Sequence, residues 1–333
     1  MSPTSASPPT NGRSPDISVS LDIAITGGSG FIGSNVVDAL LEAGHNVRVL
    51  DGLKPHRPDV EWHKVDILDP ASLLPAIEGT DTTFHLAAMA DVNDIFDAPA
   101  LATAVNVQGT INVLDAARRT EAGKVVLAST VWVYGATTGD VVDEDTAFDP
   151  NTDRHLYVTT KIAGEMACRD YHTLYGRPYT VLRYGIPYGP RMRETTVMSS
   201  FFRRALSGES LTIDGDGMQS RNFIYIGDLA RAHVLALSPN ADNQVFNVDG
   251  PGPVTIREVA LLTADLTGGV EVSFGPSRPG DLGNRTVLND KARDILGWEP
   301  LVGIEEGMKA SYDWYVSNRV APAERQAGLV AGN

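Results

Sequence analysis

The sequence predicts an α/β protein in which helices cover both faces of a doubly wound parallel sheet, followed by a smaller C-terminal α/β lobe. From residue 21 onward, short apolar segments alternate with longer amphipathic segments. The short segments are too apolar to expose one face to water, which is typical of parallel strands that are buried on both sides. The length of 333 residues is sufficient for one large domain with a smaller lobe beside it.

Six apolar segments are predicted as strands of the main sheet: residues 21–26, 45–51, 62–66, 82–88, 124–130 and 179–185. Three amphipathic segments predict helices, because their apolar positions repeat with a helical period: residues 31–43, 99–119 and 157–175. After residue 185 the pattern becomes irregular and rich in glycine and proline. Two short strand–helix pairs are predicted there, at residues 222–237 and 244–267.

We therefore expect residues 21–185 to form one domain. Residues 186–320 are expected to form the smaller lobe, which is interleaved with the first domain and makes the other wall of a cleft. Residues 1–20 are rich in proline, serine and threonine and are expected to be a disordered tail. Residues 321–333 are expected to be a second tail.

The composition excludes several classes of partner. The chain has 42 acidic and 27 basic side chains, a formal net charge of -15, which disfavours binding to nucleic acid or to an anionic membrane. No segment has the apolar length of a membrane span or of a signal peptide. Its single cysteine, Cys168, cannot form an internal disulfide or a cysteine zinc site, so we expect a reducing, cytoplasmic location and no metal site.

A glycine-rich turn follows the first predicted strand and opens the first helix, with the sequence TGGSGFIG at residues 26–33. Gly27, Gly30 and Gly33 allow the backbone to approach a pyrophosphate, which the amides and the positive end of the helix would stabilise. Asp51 ends the second strand, at about the 20-residue offset of a carboxylate that binds an adenosine ribose. Asp51 would repel a 2′-phosphate, so the pattern favours NAD over NADP, although Arg48 and Arg57 could offset its charge.

Further cofactor contacts are predicted along the same sheet edge. Asp66 could accept a hydrogen bond from the adenine amine, the alternative being an exposed carboxylate at a strand end. The remaining candidates are small or apolar residues next to the expected path of the cofactor: Phe31, Ile32, Ile67, Leu86, Ala87 and Ala88. The last three, which follow the fourth strand, could equally be core residues.

Tyr157 and Lys161 are separated by one turn of a predicted helix, so both side chains share a face. A free tyrosine has a pKa of about 10, and a nearby ammonium group favours the phenolate. The phenolate could exchange a proton with a substrate hydroxyl while a hydride passes to or from nicotinamide. Ser129 and Thr130 end the preceding strand and are expected to converge on the same place. The alternative is an ordinary surface pair.

Together with residues 85–88 (HLAA), 127–135 (LASTVWVYG) and 182–190 (LRYGIPYGP), these motifs resemble those of the extended short-chain dehydrogenase/reductases, specifically the NAD-dependent nucleotide-sugar epimerase/dehydratases. Arg221 with Asp228 and the segment RPG at residues 278–280 add to the resemblance, which covers about residues 21–315. It implies a Rossmann domain that holds NAD tightly and a lobe that binds a nucleoside-diphosphate sugar. It also implies a homodimer packed through the helices that begin near Pro99 and Tyr157.

The resemblance implies roles for individual residues. Thr130 would bond the 4-hydroxyl of the sugar, Tyr157 would be the base, and Lys161 would also hold the nicotinamide ribose. Asn106 would support the cofactor site. Arg221 and Arg278 would clamp the diphosphate, the alternative being solvated surface arginines. Further candidate substrate contacts are Ser129, Trp132, Gly185 and Arg191.

The residues after the threonine distinguish the reactions of this family. In this family, sugar 4,6-dehydratases usually carry Asp-Glu next to the threonine, and nucleotide-sugar glucuronate decarboxylases carry a glutamate two residues after it. This chain has Val131 and Trp132 at these positions. This favours 4-epimerisation through a transient 4-keto sugar. A UDP-glucuronate decarboxylase is the first alternative, because residues 189–192 (GPRM) resemble that branch. A 4-keto-sugar reductase and a non-catalytic sensor of NAD or sugar nucleotide remain open, and Trp132 could either narrow the sugar pocket or lie in the core.

Overall fold

A computed structural model describes residues 19–137, 140–152, 155–276 and 285–320 of the chain. The strands in these residues are β1 (Asp22–Thr26), β2 (Asn46–Asp51), β3 (Glu61–Lys64), β4 (Thr82–His85), β5 (Lys124–Thr130), β6 (Val141–Val142), β7 (Tyr179–Tyr184), β8 (Ile186–Tyr188), β9 (Leu211–Asp214), β10 (Ser220–Tyr225), β11 (Gln244–Val248), β12 (Pro253–Thr255), β13 (Val272–Gly275) and β14 (Thr286–Val287).

The α-helices in the same residues are α1 (Phe31–Glu42), α2 (Pro70–Ile77), α3 (Val92–Asp97), α4 (Pro99–Thr103), α5 (Gly109–Arg119), α6 (Leu156–Tyr175), α7 (Val197–Leu206), α8 (Ile226–Leu235), α9 (Ile256–Leu266), α10 (Asp290–Leu296) and α11 (Ile304–Arg319). A π-helical segment (Ala104–Gln108) joins α4 to α5, and a 3-10 segment (Val131–Ala136) follows β5.

Seven parallel strands form the main sheet in the order β11-β7-β5-β4-β1-β2-β3. Alternate residues of a strand point to opposite faces. On β1, Ile23 and Ile25 belong to a core cluster shared with α1 and α8, whereas Ala24 belongs to a second cluster shared with α2, α5 and α6. Both faces are therefore covered by helices, and the predicted doubly wound α/β fold is confirmed.

The seventh strand of this sheet comes from the part of the chain after residue 185. β11 pairs with β7, and α8 packs against α1 on one face of the sheet. Residues after 185 thus contribute both to the large sheet and to the smaller lobe. The division of the chain at residue 185 stays a prediction, and residues 1–18 and 321–333 of the two predicted tails lie outside the described residues.

The smaller lobe contains a sheet of β8, β10 and β12 and a pair formed by β9 and β13. Helices α7, α9 and α11 pack around a third core cluster that includes Phe202, Val259 and Met308. In the described ranges, no helix is both long and apolar enough to cross a membrane.

The helix predicted over residues 99–119 contains a π-helical turn in its middle. This turn centres on Asn106, and π-helical turns occur frequently at functional sites. Helices α2 and α3 were not predicted, because segments of eight and six residues are too short to show a helical period. Their start signals are present, since Asp69 and Asp91 cap their first turns.

Candidate active site

The glycine turn between β1 and α1 has no room for a side chain at Gly27 or at Gly33. A Cβ atom added at Gly33 would lie 2.1 Å from the carbonyl oxygen of Gly27, and Gly27 itself has a φ of 73°. Gly30 precedes α1 and provides no side-chain cap for its first amides. An uncapped helix N-terminus with close backbone access is a suitable site for a pyrophosphate, so the turn fits the dinucleotide that the sequence predicts.

The carboxylate of Asp51 lies against this turn. Its Oδ2 accepts a hydrogen bond from the Ser29 amide at 3.0 Å, and its Oδ1 accepts one from the Leu53 amide at 2.9 Å. The two arginines that could offset its charge are engaged elsewhere. Arg48 bonds Glu61, and Arg57 bonds Asp59 and Asp38. The negative charge at the ribose position therefore remains, as expected of a site for NAD.

The other candidate cofactor residues occupy different environments. Asp66 is exposed, with Oδ1 accepting from the Leu68 amide. The Ile67 side chain is buried in the core against Gly109, which leaves its backbone to face the cofactor, and its assignment to the cofactor site stays a prediction. Leu86, Ala87 and Ala88 are half-buried, and Phe31 and Ile32 begin α1 directly after the turn.

Asn106 contacts the backbone after β4 and the helix that carries Lys161, and the supporting role that the resemblance implies for it stays a prediction. It is buried, and its Oδ1 accepts from the Met89 amide at 2.8 Å. Its Nδ2 donates to the Met89 carbonyl at 2.9 Å and to Thr160 Oγ1 at 3.1 Å. The amide thus fastens the segment after β4 to α6, next to Lys161.

Tyr157, Lys161 and Thr130 lie near the carboxyl end of β5. Lys161 Nζ is 5.7 Å from the centre of the Tyr157 ring and donates to the Ala128 carbonyl at 2.9 Å. Thr130 caps the 3-10 segment by accepting from the Trp132 amide at 3.2 Å. The structure therefore brings the three predicted acid–base and hydroxyl side chains to one end of the sheet.

The electrostatics of this site differ from the sequence-based expectation. Burial raises the pKa of Tyr157 to about 12, and the charge of Arg193 opposes this rise. Burial also lowers the pKa of Lys161 to about 8, opposed by the charge of Glu165. The prediction that Lys161 acidifies the phenol is wrong in this structure, because the desolvation of the phenol outweighs nearby positive charge.

Trp132 is the aromatic side chain beside the candidate base. Its ring is perpendicular to that of Tyr157, with the centroids 6.2 Å apart, and 39% of the residue is exposed. Of the two interpretations of the sequence, the structure favours a position at the site over a position in the core.

Two predicted substrate contacts are buried. The Ser129 hydroxyl donates to Glu165 Oε1 at 2.6 Å and is directed into the protein. Gly185 is covered by Asp249, whose Oδ1 lies 2.0 Å from the position of an added Cβ. Neither Ser129 nor Gly185 therefore offers a surface to a substrate, and both predictions are corrected.

The predicted arginines also differ in position. Arg191 pairs with Asp38 at 2.7 Å and donates to His56 Nε2 at 2.9 Å, so its guanidinium joins the smaller lobe to α1 and is not a substrate contact as predicted. Arg221 is half-buried on β10, where its Nη1 donates to the Ser220 carbonyl at 2.7 Å. Arg278 lies outside the described residues.

Arg193 was missed by the sequence interpretation. It lies in the segment between β8 and α7, pairs with Asp91 at 3.7 Å and acts on the pKa of Tyr157. The signal in the sequence that could have identified Arg193 was its position two residues after Arg191. Among the described side chains, no three or more histidine, cysteine, aspartate or glutamate residues are grouped to hold a metal ion.

Comparison with known proteins gives a consistent result. Residues 23–249 match the family model of the NAD dependent epimerase/dehydratase family. A UDP-glucose 4-epimerase from Mycolicibacterium smegmatis is 33% identical over 308 residues, which cover 87% of this chain and 97% of that protein. UDP-glucuronic acid decarboxylase 1 from Xenopus tropicalis is 33% identical over 327 residues, covering 93% and 77%.

A solved structure shows the same fold with the cofactor bound. The UDP-glucose 4-epimerase of Thermus thermophilus in complex with NAD superposes with a TM-score of 0.77 at 32% identity, covering 90% of this chain and 100% of that chain. The similarity thus extends over both the glycine turn and the smaller lobe.

Proposed function

The chain belongs to the NAD-dependent epimerase/dehydratase family and uses NAD as its cofactor, and on that premise we propose that it is a nucleoside-diphosphate-sugar 4-epimerase. The observation that carries the proposal is the segment after Thr130. It provides Val131 and Trp132 and no carboxylate, while Tyr157 and Lys161 are in place beside it. Such a site can remove and return the 4-hydroxyl proton, but its threonine segment has no acid for elimination or for assisted decarboxylation.

The residues that fit NAD are those of the glycine turn, Asp51 and Lys161. The amides at the start of α1 suit the pyrophosphate, Asp51 suits the ribose hydroxyls, and Lys161 suits the nicotinamide ribose. When bound, NAD would supply a hydride acceptor for the hydrogen at the sugar C4, and its reduced form would be the hydride donor.

Tyr157 is the proposed base for the 4-hydroxyl, and Thr130 is proposed to bond the same hydroxyl. Because burial raises the pKa of Tyr157 to about 12, the phenol needs positive charge nearby to give up its proton near neutral pH. Lys161, whose pKa of about 8 keeps it mostly charged at neutral pH, lies one helical turn away but does not outweigh the burial by itself. We therefore propose that the positively charged nicotinamide ring of bound NAD would add the remaining charge.

The experiment that tests this function is a substrate panel without added cofactor. UDP-, dTDP-, GDP- and CDP-sugars are incubated with the protein, and the products are identified by mass spectrometry and proton NMR. We expect a 4-epimer of unchanged mass from at least one sugar. A product that forms only with stoichiometric loss of NADH would indicate a 4-keto-sugar reductase, and binding without any turnover would indicate a sensor.

A UDP-glucuronate decarboxylase is the second candidate, and Arg193 is the observation that favours it. The charge of this side chain reaches Tyr157 and could pair with a sugar carboxylate. Because the threonine segment lacks an assisting acid, we expect UDP-glucuronate to yield no carbon dioxide. Formation of UDP-xylose would replace the epimerase proposal with this one.

We also propose that the protein is a cytoplasmic homodimer. Helices α3, α4 and α6 expose large apolar side chains, with Phe96 at 85%, Leu101 at 51% and Met166 at 52% exposure. A second copy packed against these helices would remove them from water. The lone cysteine, Cys168, is buried, as suits a reducing compartment. Light scattering at micromolar concentration tests the dimer, and a monomeric mass would contradict it.

A further inference from the structure

A buried ion pair lies one helical turn beyond Lys161 on α6. Glu165 accepts from Arg183 of β7 through two hydrogen bonds, Nε to Oε1 at 3.0 Å and Nη2 to Oε2 at 2.7 Å. Glu165 is 0% exposed and Arg183 is 1% exposed. Desolvating such a pair costs more free energy than an apolar contact of similar size, so its value to the protein lies in specificity or in charge.

Contacts of this pair extend to the elements that carry the active site. Ser129, which precedes Thr130 on β5, donates to Glu165 Oε1 at 2.6 Å. Arg183 Nη1 donates to Tyr134 Oη at 2.7 Å, and Tyr134 belongs to the 3-10 segment that also contains Trp132. One carboxylate and its arginine therefore connect α6, β5, β7 and the 3-10 segment.

Glu165 also acts on the charge of Lys161. Burial lowers the pKa of Lys161, and the negative charge of Glu165 opposes that fall. The titratable groups around this part of α6 are His85 on β4, Tyr157, Glu165, Cys168 and Arg169 on α6, Tyr134 on the 3-10 segment, Arg183 and Tyr184 on β7, and Arg193 before α7.

Most of these groups are uncharged at neutral pH. Burial lowers the pKa of His85 to about 3 and raises the pKa of Tyr134 to about 12. Burial raises the pKa of Tyr184 as well. The charge that favours the ammonium form of Lys161 is thus that of Glu165.

We propose that Glu165 and Arg183 are positioning residues for the acid–base site, with Glu165 keeping Lys161 charged and Arg183 holding Glu165 in place against β5. The proposal rests on the acid–base role proposed for Lys161 and Tyr157. It separates the two partners by function, because the charge of Glu165 acts on Lys161 directly, whereas Arg183 acts by holding that carboxylate in place.

The test measures the titration of Lys161 without any turnover. The six lysines of the NAD-bound protein are labelled with carbon-13 at Cε, and Lys161→Met identifies the Lys161 signal. In Glu165→Gln we expect the titration midpoint of Lys161 to fall by about one pH unit or more, the effect of losing a nearby opposite charge. If a nucleotide sugar is turned over, the rate of Glu165→Gln is measured against pH. The midpoint of its change on the alkaline side is expected to fall by the same number of pH units.

A double variant that removes both charged side chains keeps the test decisive if Glu165→Gln does not fold. The double variant Glu165→Met with Arg183→Met replaces the ion pair by apolar side chains, which buried sites often tolerate. We expect it to fold and to lower the Lys161 midpoint as Glu165→Gln does, because the carboxylate that acts on Lys161 is gone in both. Asp242→Asn, which removes the partner of Lys124 at the other end of β5, is the control and should leave the midpoint unchanged.

An unchanged Lys161 midpoint in Glu165→Gln, or in the double variant, would overturn the proposal and leave the ion pair with a structural role. Since the midpoint is measured without substrate, this outcome is distinct from a failure of the epimerase proposal, which the substrate panel would show.

Discussion

Trp132 and Tyr157 meet edge to face, with their ring centroids 6.2 Å apart and their planes at 90°. Trp132 lies two residues after Thr130, so the aromatic contact joins the threonine segment to the helix that carries the candidate base. An edge-to-face pair is favourable for both rings, and Trp132 occupies the position where the family resemblance implies a glutamate in the decarboxylases. Residue 132 is therefore expected to decide which reaction follows oxidation at C4.

Trp132→Glu is predicted to add decarboxylation. A carboxylate beside Tyr157 would supply the acid that the native segment lacks, so UDP-glucuronate should release carbon dioxide above the level of the native protein. The measurement is carbon dioxide and UDP-xylose formation, with Trp132→Gln as the uncharged control. Equal release by the Glu and Gln variants would mean that residue 132 does not select the reaction.

Tyr157→Phe is predicted to lower turnover by about 10²- to 10⁴-fold, the usual contribution of a positioned acid–base group. The ring and its contact with Trp132 remain, so bound NAD should be retained. Turnover on the productive sugar nucleotide and the NAD released on denaturation are measured together. Turnover near that of the native protein would exclude Tyr157 as the base.

Gly33→Ala is predicted to abolish NAD binding. The new Cβ would lie 2.1 Å from the backbone oxygen of Gly27, so the turn must open and its amides must leave their places. Gly252→Ala is the matched control, since an added Cβ there meets no atom within 4 Å. Calorimetric titration with NAD distinguishes the two, and unchanged affinity in Gly33→Ala would contradict the assignment of the turn.

Asp249→Asn is predicted to stabilise the protein above pH 6. Burial raises the pKa of Asp249 from 3.8 to about 6, so the folded state holds a proton that the unfolded state has lost. The contribution of Asp249 to the free energy of unfolding is fully present below about pH 4 and is lost as the pH rises through about 6. Asn222 Oδ1, which is buried without a hydrogen-bond partner, can accept from the new amide once its own amide rotates.

Thermal unfolding midpoints between pH 4 and pH 8 test this prediction. The native protein should lose the contribution of Asp249 to its stability across that range. The amount by which the unfolding midpoint of Asp249→Asn exceeds that of the native protein should therefore grow with pH. Asp265→Asn, on the exposed side of α9, is the control. A difference that does not change with pH would show that Asp249 is ionised throughout.

Local patterns in the sequence predicted the parts of this molecule that depend on neighbours along the chain. The apolar segments predicted six strands of the main sheet, and the glycine spacing predicted the turn before α1. The four-residue spacing of Tyr157 and Lys161 predicted their common face on α6. Each of these follows from backbone geometry over a few residues.

The parts that were not predicted depend on contacts between distant segments. β11 joins the sheet beside β7, and Arg183 pairs with Glu165, through tertiary packing that no local spacing encodes. The sign of the pKa shift of Tyr157 was wrong because it depends on how completely the phenol is desolvated. Ser129 was assigned to the substrate because it adjoins Thr130, but successive residues of a strand face opposite sides of the sheet.

The most direct test of the proposed reaction follows the hydrogen at C4. UDP-, dTDP-, GDP- and CDP-glucose carrying deuterium at C4 are incubated with the purified protein without added cofactor, and the 4-epimer is examined by NMR and mass spectrometry. Transfer of the hydride to bound NAD and back predicts that the deuterium remains on C4 of the inverted sugar. An epimer that has exchanged this deuterium for solvent hydrogen would contradict the account.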